Sequence, residues 1–237
     1  MIGLLSGGIR FTKWRIKERN EYIVLQSKSN QVKNRISGYE ALTDPLAIIW
    51  IEPDQIQYFA DVFDKYGHEG AIYDGLWDRQ RKKITESTKY IGLKERFLDG
   101  KTWEETKIFE DFLEIIQNGG QKDQCYTRED LLERYREIDD LYDSIKSHGI
   151  LTQSEIRGDE YKFENILLNI GRDGELLFNG NGWHRLCISK ILGLSKIPVR
   201  IYVRHREWQE KRESIAKKDI VPTQYATHPD IECTLPK

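Results

Sequence analysis

The stretch from Asn165 to Val203 restricts the fold more than any other part of this sequence. Asn165 to Ile170 is an almost wholly apolar run, Arg172 to Gly174 supplies turn chemistry, and Glu175 to Phe178 returns as a second run. That pattern predicts two short strands joined by a tight turn. Gly180 and Gly182 then interrupt the chain. Trp183 to Leu192 has helical spacing closed by Gly193, and Ile197 to Val203 reads as a last strand with mixed faces. A strand, turn, strand, glycine-rich turn, helix and strand in this order predict an α/β unit, because the helix must bury its apolar stripe on the sheet.

The flanking sequence predicts the rest of one domain, as single cores stop growing only at about 250 to 300 residues and the chain has 237. Arg10 to Tyr39 is polar and basic, with Lys13 to Arg19 as a local basic stretch, so residues 1–40 read as a helical or poorly ordered arm. Pro45 to Ile51 is a buried-strand pattern ended by Pro53, which cannot donate to a ladder. Gln55 to Gly75 suggests a short helix and a loop. Helical periodicity follows over Thr88 to Leu98 and Trp103 to Ile116, the latter with Thr102 and Glu105 as a capping box, so about residues 60–125 read as a helical insertion. Thr127 and Asp130 repeat that box before an amphipathic helix that stops at Gly149. Residues 41–205 are thus the expected domain, and 206–237 a charged tail that opens with a helix.

Composition narrows the setting. Hydrophobic residues make up 38% and charged residues 32%, and no segment approaches the roughly 20 apolar residues of a membrane span. Cys125, Cys187 and Cys233 are too few and too irregularly spaced for a disulfide framework or paired zinc ligands, which points to a reducing cytoplasm. A net charge of -2 gives no global attraction to nucleic acid, so any such contact has to be local.

The turn is where chemistry concentrates. Gly180 and Gly182 permit conformations closed to other residues, and they precede a helix whose first N–H groups are unpaired at its positive dipole end. Asn181, Trp183, His184 and Arg185 would surround a phosphate held there, with the Arg185 guanidinium matched to its oxygens. A purely structural tight turn, with Arg185 paired inside the fold, is the competing reading. Cys187, one turn into the helix, reads as a buried apolar residue rather than a nucleophile. Trp77 with Asp78 and Trp103 with Glu104 either pack the core or line a ligand cleft.

The last third of the chain resembles the ParB/sulfiredoxin-like family. Leu141 to Ile150 is similar to the helix and glycine turn that open its core. Gly180 to Arg185, Ile188 to Leu194 and Ile197 to Val199 look like its G-x-x-R box, helix and IPV strand, with Ile48 to Ile56 as the first strand. The resemblance implies an α/β (α+β) fold with a small mixed sheet. It spans partition proteins, sulfiredoxins and small-molecule kinases. Where sulfiredoxins place a reactive cysteine this chain has Trp183, and it lacks the acid and second arginine of the CTP-hydrolysing partition proteins.

The resemblance therefore implies a nucleotide or phosphorylated small molecule as ligand, with a nucleotide–magnesium complex and phosphoryl transfer as the reaction class nearest the His-Arg box. Glu52 and Asp54, after the first strand, are candidates for a base or a magnesium ligand, or form a solvated strand end. Arg200, Arg204 and Arg206 could contact a polyanion such as DNA, or blunt a strand edge. An interaction protein with a purely structural box is the third reading.

Overall fold

The computed structural model describes residues 5–159, 163, 165–218 and 220–232, and side chains among these from residue 15 to 231. Cys233 lies outside them. The expected α/β class is observed: among the described residues, eight helices accompany a mixed sheet of seven strands. The first half carries α1 (Leu5–Ile36), β1 (Ile49–Ile51), β2 (Tyr58–Phe59), β3 (Ala71–Tyr73), β4 (Lys82–Lys83), α2 (Thr88–Phe97) and α3 (Lys107–Gln117). The second carries α4 (Arg128–His148), α5 (Gln153–Arg157), β5 (Ile166–Ile170), β6 (Leu176–Phe178), α6 (Trp183–Ile191), β7 (Ile197–His205), α7 (Arg206–Lys218) and α8 (Pro229–Glu232).

Strand order is β1-β7-β5-β6-β2-β4, with β3 beside the second half of β7. β5 and β6 form the expected antiparallel hairpin, and β5 runs parallel to β7. β7 is therefore central. β1 pairs with Ile197 to Val199 and β3 with Val203 to His205, so all nine residues of β7 are buried. Its arginines do not blunt an edge.

Local chemistry explains the helices that frame the cleft described below. Thr127 caps α4 by accepting from the Asp130 amide at 3.0 Å, while the Asp130 carboxylate accepts from Thr127 N at 3.0 Å. Gly149, at φ 73°, ends it. α6 buries Leu186, Cys187 and Ile188 against β5 and α2. Trp103 stacks on Tyr135 of α4 with ring centroids 4.4 Å apart, and its indole N–H donates to Asp139 at 3.0 Å, so it packs the core.

Two expectations change and a third resolves between its alternatives. Gln55 to Gly75 holds two strands instead of a helix, because β2 pairs with both β6 and β4, and β3 pairs with β7. The insertion is accordingly only partly helical. The charged tail belongs to the core: Trp208, Gln209 and Arg212 on α7 are fully buried, and Asp230 of α8 accepts from the Trp208 indole at 2.9 Å. The basic arm is a single helix whose inward face is polar as well as apolar. Ile16 and Ile23 are buried beside Asn30 and Asn34, which donate to the carbonyls of Glu69 at 3.1 Å and Gly70 at 2.8 Å. Asparagines satisfied by backbone carbonyls hide a packing face from apolar counting. No helix among the described residues is long and apolar enough to cross a membrane.

Candidate functional site

β6 ends at Phe178, and Asn179 to Gly182 carry the chain into α6. Polar side chains brace this turn from below: Asn169 Nδ2 donates to Asn179 Oδ1 at 2.8 Å, and Asn181 Nδ2 to the Asn165 carbonyl at 2.6 Å. Gly180 and Gly182 sit at φ 81° and 95°. Space excludes a side chain as well: a Cβ on Gly180 would lie 3.0 Å from Asp61 Oδ1, and one on Gly182 2.9 Å from Ile166 Cγ1. The turn delivers the first amides of α6 to an open face, where unpaired N–H groups and the dipole favour an anion.

That face is the floor of a cleft of about 450 Å³. Gly180, Asn181, Gly182, Trp183, His184 and Arg185 all line it, so the structure brings the whole predicted cradle together. Other elements add cations that the sequence did not single out: Lys65 from the β2–β3 connection, Lys89 from α2, Arg134 from α4 and Arg157 from α5. Asp123 is the acid among the lining residues. Trp183 is wedged edge-on between Phe59 and Phe178, at centroid distances of 4.9 and 4.8 Å, which fixes one wall.

Asp123 and Gln124 occupy the left-handed region at φ 49° and 68°, between the bridged residues Lys122 and Cys125. Non-glycine residues there cost about 1 to 3 kcal/mol each, and such strain gathers at functional sites. The conformation points Asp123 at Lys89, which donates to its two oxygens at 2.6 and 2.9 Å. Burial opposes ionisation of Asp123, but the Lys89 ammonium outweighs it and holds the carboxyl below its ordinary range. His184 is 8% exposed, with Nε2 3.6 Å from Asp123 Oδ2. Burial, reinforced by Lys89, drives its imidazole far below the usual histidine range, so at neutral pH it is an uncharged hydrogen-bonding group and not a cation.

Two polar atoms at this floor have no hydrogen-bond partner among the described residues, although both are buried: His184 Nε2 and Arg134 Nε. Buried polar atoms are usually paired, so orphans lining a cleft mark where ligand atoms fit. Beside the turn, the Asp61 carboxylate lies against Gly180 without lining the cleft, and loss of water there raises its pKa above the ordinary carboxylate value.

Glu52 and Asp54 are not at the cleft. Lys190, in the last turn of α6, donates to the Pro53 carbonyl at 2.7 Å and pairs with Asp54 at 3.3 Å, so the loop after β1 is tied to the opposite end of that helix. Arg200 and Arg204 are 1% and 5% exposed and cannot reach a polyanion. Arg200 Nη1 donates to the Phe163 carbonyl at 3.0 Å, and Arg204 is clamped by Asp230 and Thr43. Arg206 is exposed, with Asp74 at 2.7 Å and Glu210 at 3.6 Å. Cys187 is fully buried and its thiol is pushed up to about 12, which removes it as a nucleophile. Among the described residues no group of three or more carboxylate, imidazole or thiol side chains could hold a metal.

Distance along the chain hid the remaining lining residues. Lys89 and Arg134 lie on helices that periodicity predicts without specifying which face meets the glycine turn, and Asp123 and Arg157 lie in segments with no strong local signal. Comparison with known proteins finds no matching family model, no matching curated sequence and no matching solved structure.

Proposed function

We propose that the cleft over the Gly180–Arg185 turn binds a nucleotide or a phosphorylated small molecule, within a ParB/sulfiredoxin-like core. The observation that carries this reading is the convergence of cations from five elements on a glycine turn at a helix N-terminus, with His184 Nε2 buried and unpartnered in the same floor. A phosphate group satisfies all of it: backbone amides and Arg185 take its oxygens, Lys89 and Arg134 offset its charge, and neutral His184 donates or accepts one hydrogen bond.

Asp61 extends the reading to phosphoryl transfer. Among the described residues no hydrogen bond or ion pair engages its carboxylate, and it lies against Gly180. A carboxylate beside bound phosphate is repulsive unless it accepts a proton, so Asp61 suits the role of base toward a hydroxyl acceptor. The acceptor oxygen would form the new bond to phosphorus as the bond to the leaving phosphate oxygen breaks, its proton passing to Asp61. Without a protein metal cluster, magnesium would arrive with the phosphates of the nucleotide.

The DNA-contact reading loses Arg200 and Arg204, which are buried, and rests on Arg206 and the basic arm Lys13 to Arg19. Two free, buried thiols, Cys125 and Cys187, suit the cytoplasmic setting that we propose.

A thermal-shift screen against nucleoside di- and triphosphates, sugar phosphates and pyrophosphate, each with and without magnesium, tests the proposal. A true ligand at about 100 times its dissociation constant adds about 2.7 kcal/mol of stability. Asp61→Asn should keep that shift while losing transfer to added hydroxyl acceptors. A flat screen would overturn the binding function, and undiminished transfer by Asp61→Asn would overturn the base.

A further inference from the structure

A second cleft, of about 380 Å³, lies at the opposite end of β6, where Gly174 leads into Glu175 and Leu176. Three separate stretches of chain wall it: the β1–β2 connection with Gln55 and Gln57, the start of β6, and the C-terminal segment with Gln224 and Thr227. Its frame is firmly bonded. Glu175 receives Arg81 at 2.6 Å, His228 Nε2 donates to the Gly174 carbonyl at 2.8 Å, and His228 Nδ1 accepts from the Asp230 amide at 3.2 Å.

The polar groups on its walls are mostly exposed and uncommitted among the described residues, and the Arg81 guanidinium lies over the Tyr58 ring, 4.9 Å from its centroid. The carboxamides of Gln55, Gln57 and Gln224, the Thr227 hydroxyl and the Tyr58 phenol make no side-chain hydrogen bond to any described residue. Their chemistry differs sharply from that of the cationic cleft. Arg81, from outside the lining, offsets the charge of Glu175, and the carboxamides, the Thr227 hydroxyl and the Tyr58 phenol are all neutral groups that both donate and accept.

We infer that this second cleft binds an uncharged, polyhydroxylated molecule, a sugar. Each sugar hydroxyl both donates and accepts, as a carboxamide does from adjacent atoms, and Leu176 and Pro229 offer apolar surface to the carbon skeleton. A phosphorylated or otherwise charged ligand gains nothing here that it does not gain more strongly over the glycine turn. The inference is independent of phosphate binding at the first cleft.

Saturation-transfer NMR on the full chain, with glucose, maltose and trehalose as millimolar probes, reads the site directly. Transfer to at least one probe is expected, with affinity about three- to tenfold weaker in Gln57→Ala and in Gln224→Ala, the loss of one neutral hydrogen bond each. Both glutamines are exposed, so neither variant endangers folding. No transfer to any probe in the wild type, or transfer unchanged in both variants, overturns the inference.

Discussion

Two groups of basic side chains in this protein have opposite fates. Around Asp230, Arg204 and Arg212 are buried with the carboxylate between them, and the Trp208 indole adds a third donor. Around the Gly180 turn, Lys65, Lys89, Arg134, Arg157 and Arg185 line an open cleft in which Asp123 is the acid. The first group is closed upon one buried carboxylate; in the second, Lys89 holds Asp123 and Arg134 pairs with Glu137 at 2.6 Å, yet the basic groups line open space. Number of positive charges does not separate a strut from a candidate binding site; whether the basic groups are sealed in with their carboxylate or line open space does.

The largest expected effect breaks the strut. Asp230→Ala would leave two guanidinium groups buried without their carboxylate and should cost about 3 to 5 kcal/mol of unfolding free energy by denaturant titration. A loss below about 1 kcal/mol would mean that the pair is not load-carrying in the fold. Next in size, Arg185→Ala should weaken the ligand found by screening by about 1.5 to 3 kcal/mol in calorimetry, the value of a hydrogen bond to a charged group. Its unfolding free energy should move much less than that of Asp230→Ala; equal destabilisation by both would make Arg185 a second strut.

The smallest effect is a pH dependence. Burial lowers the folded pKa of His184, beside Lys89, Asp123 and Arg134, so below about 6.5 the unfolded chain takes up a proton that the folded site refuses. This contribution is complete above that pH and is lost as the pH falls toward the lower folded value. His228 is lowered by burial as well and adds to the same slope. Stability should therefore decline on acidification from about pH 6.5, by at most about 1.4 kcal/mol per pH unit for each proton. His184→Gln should reduce the slope without removing it, and an unchanged slope would show that the imidazole is solvated.

The same contrast explains how much could be read in advance. The hairpin, the glycine turn, α6 and the capped α4 follow from strong local signals: turn residues, paired caps and helical spacing. The residues of the proposed cradle stand together in the sequence as well, since Gly180 to Arg185 are consecutive. What escaped are relationships set by tertiary packing. β7 carries arginines at alternate positions and looks like a charged edge, yet β1 and β3 cover one side of it and β5 the other. Arg204 is tolerated inside because Asp230, in a segment that reads as loose, folds back to meet it. Asp54 sits near a strand end as a catalytic acid would, but Lys190 holds it at the wrong end of α6.

The central claim is that the N-terminal turn of α6 holds phosphate oxygens, and backbone amide shifts report on that turn directly. In the isotope-labelled full chain, titration with pyrophosphate should move the amide signals of Gly180, Gly182, Trp183 and His184 together and saturably, and Arg185→Ala should suppress the movement. Signals that stay fixed at this turn, or that move only at the exposed Lys82 and Lys83, would contradict the account.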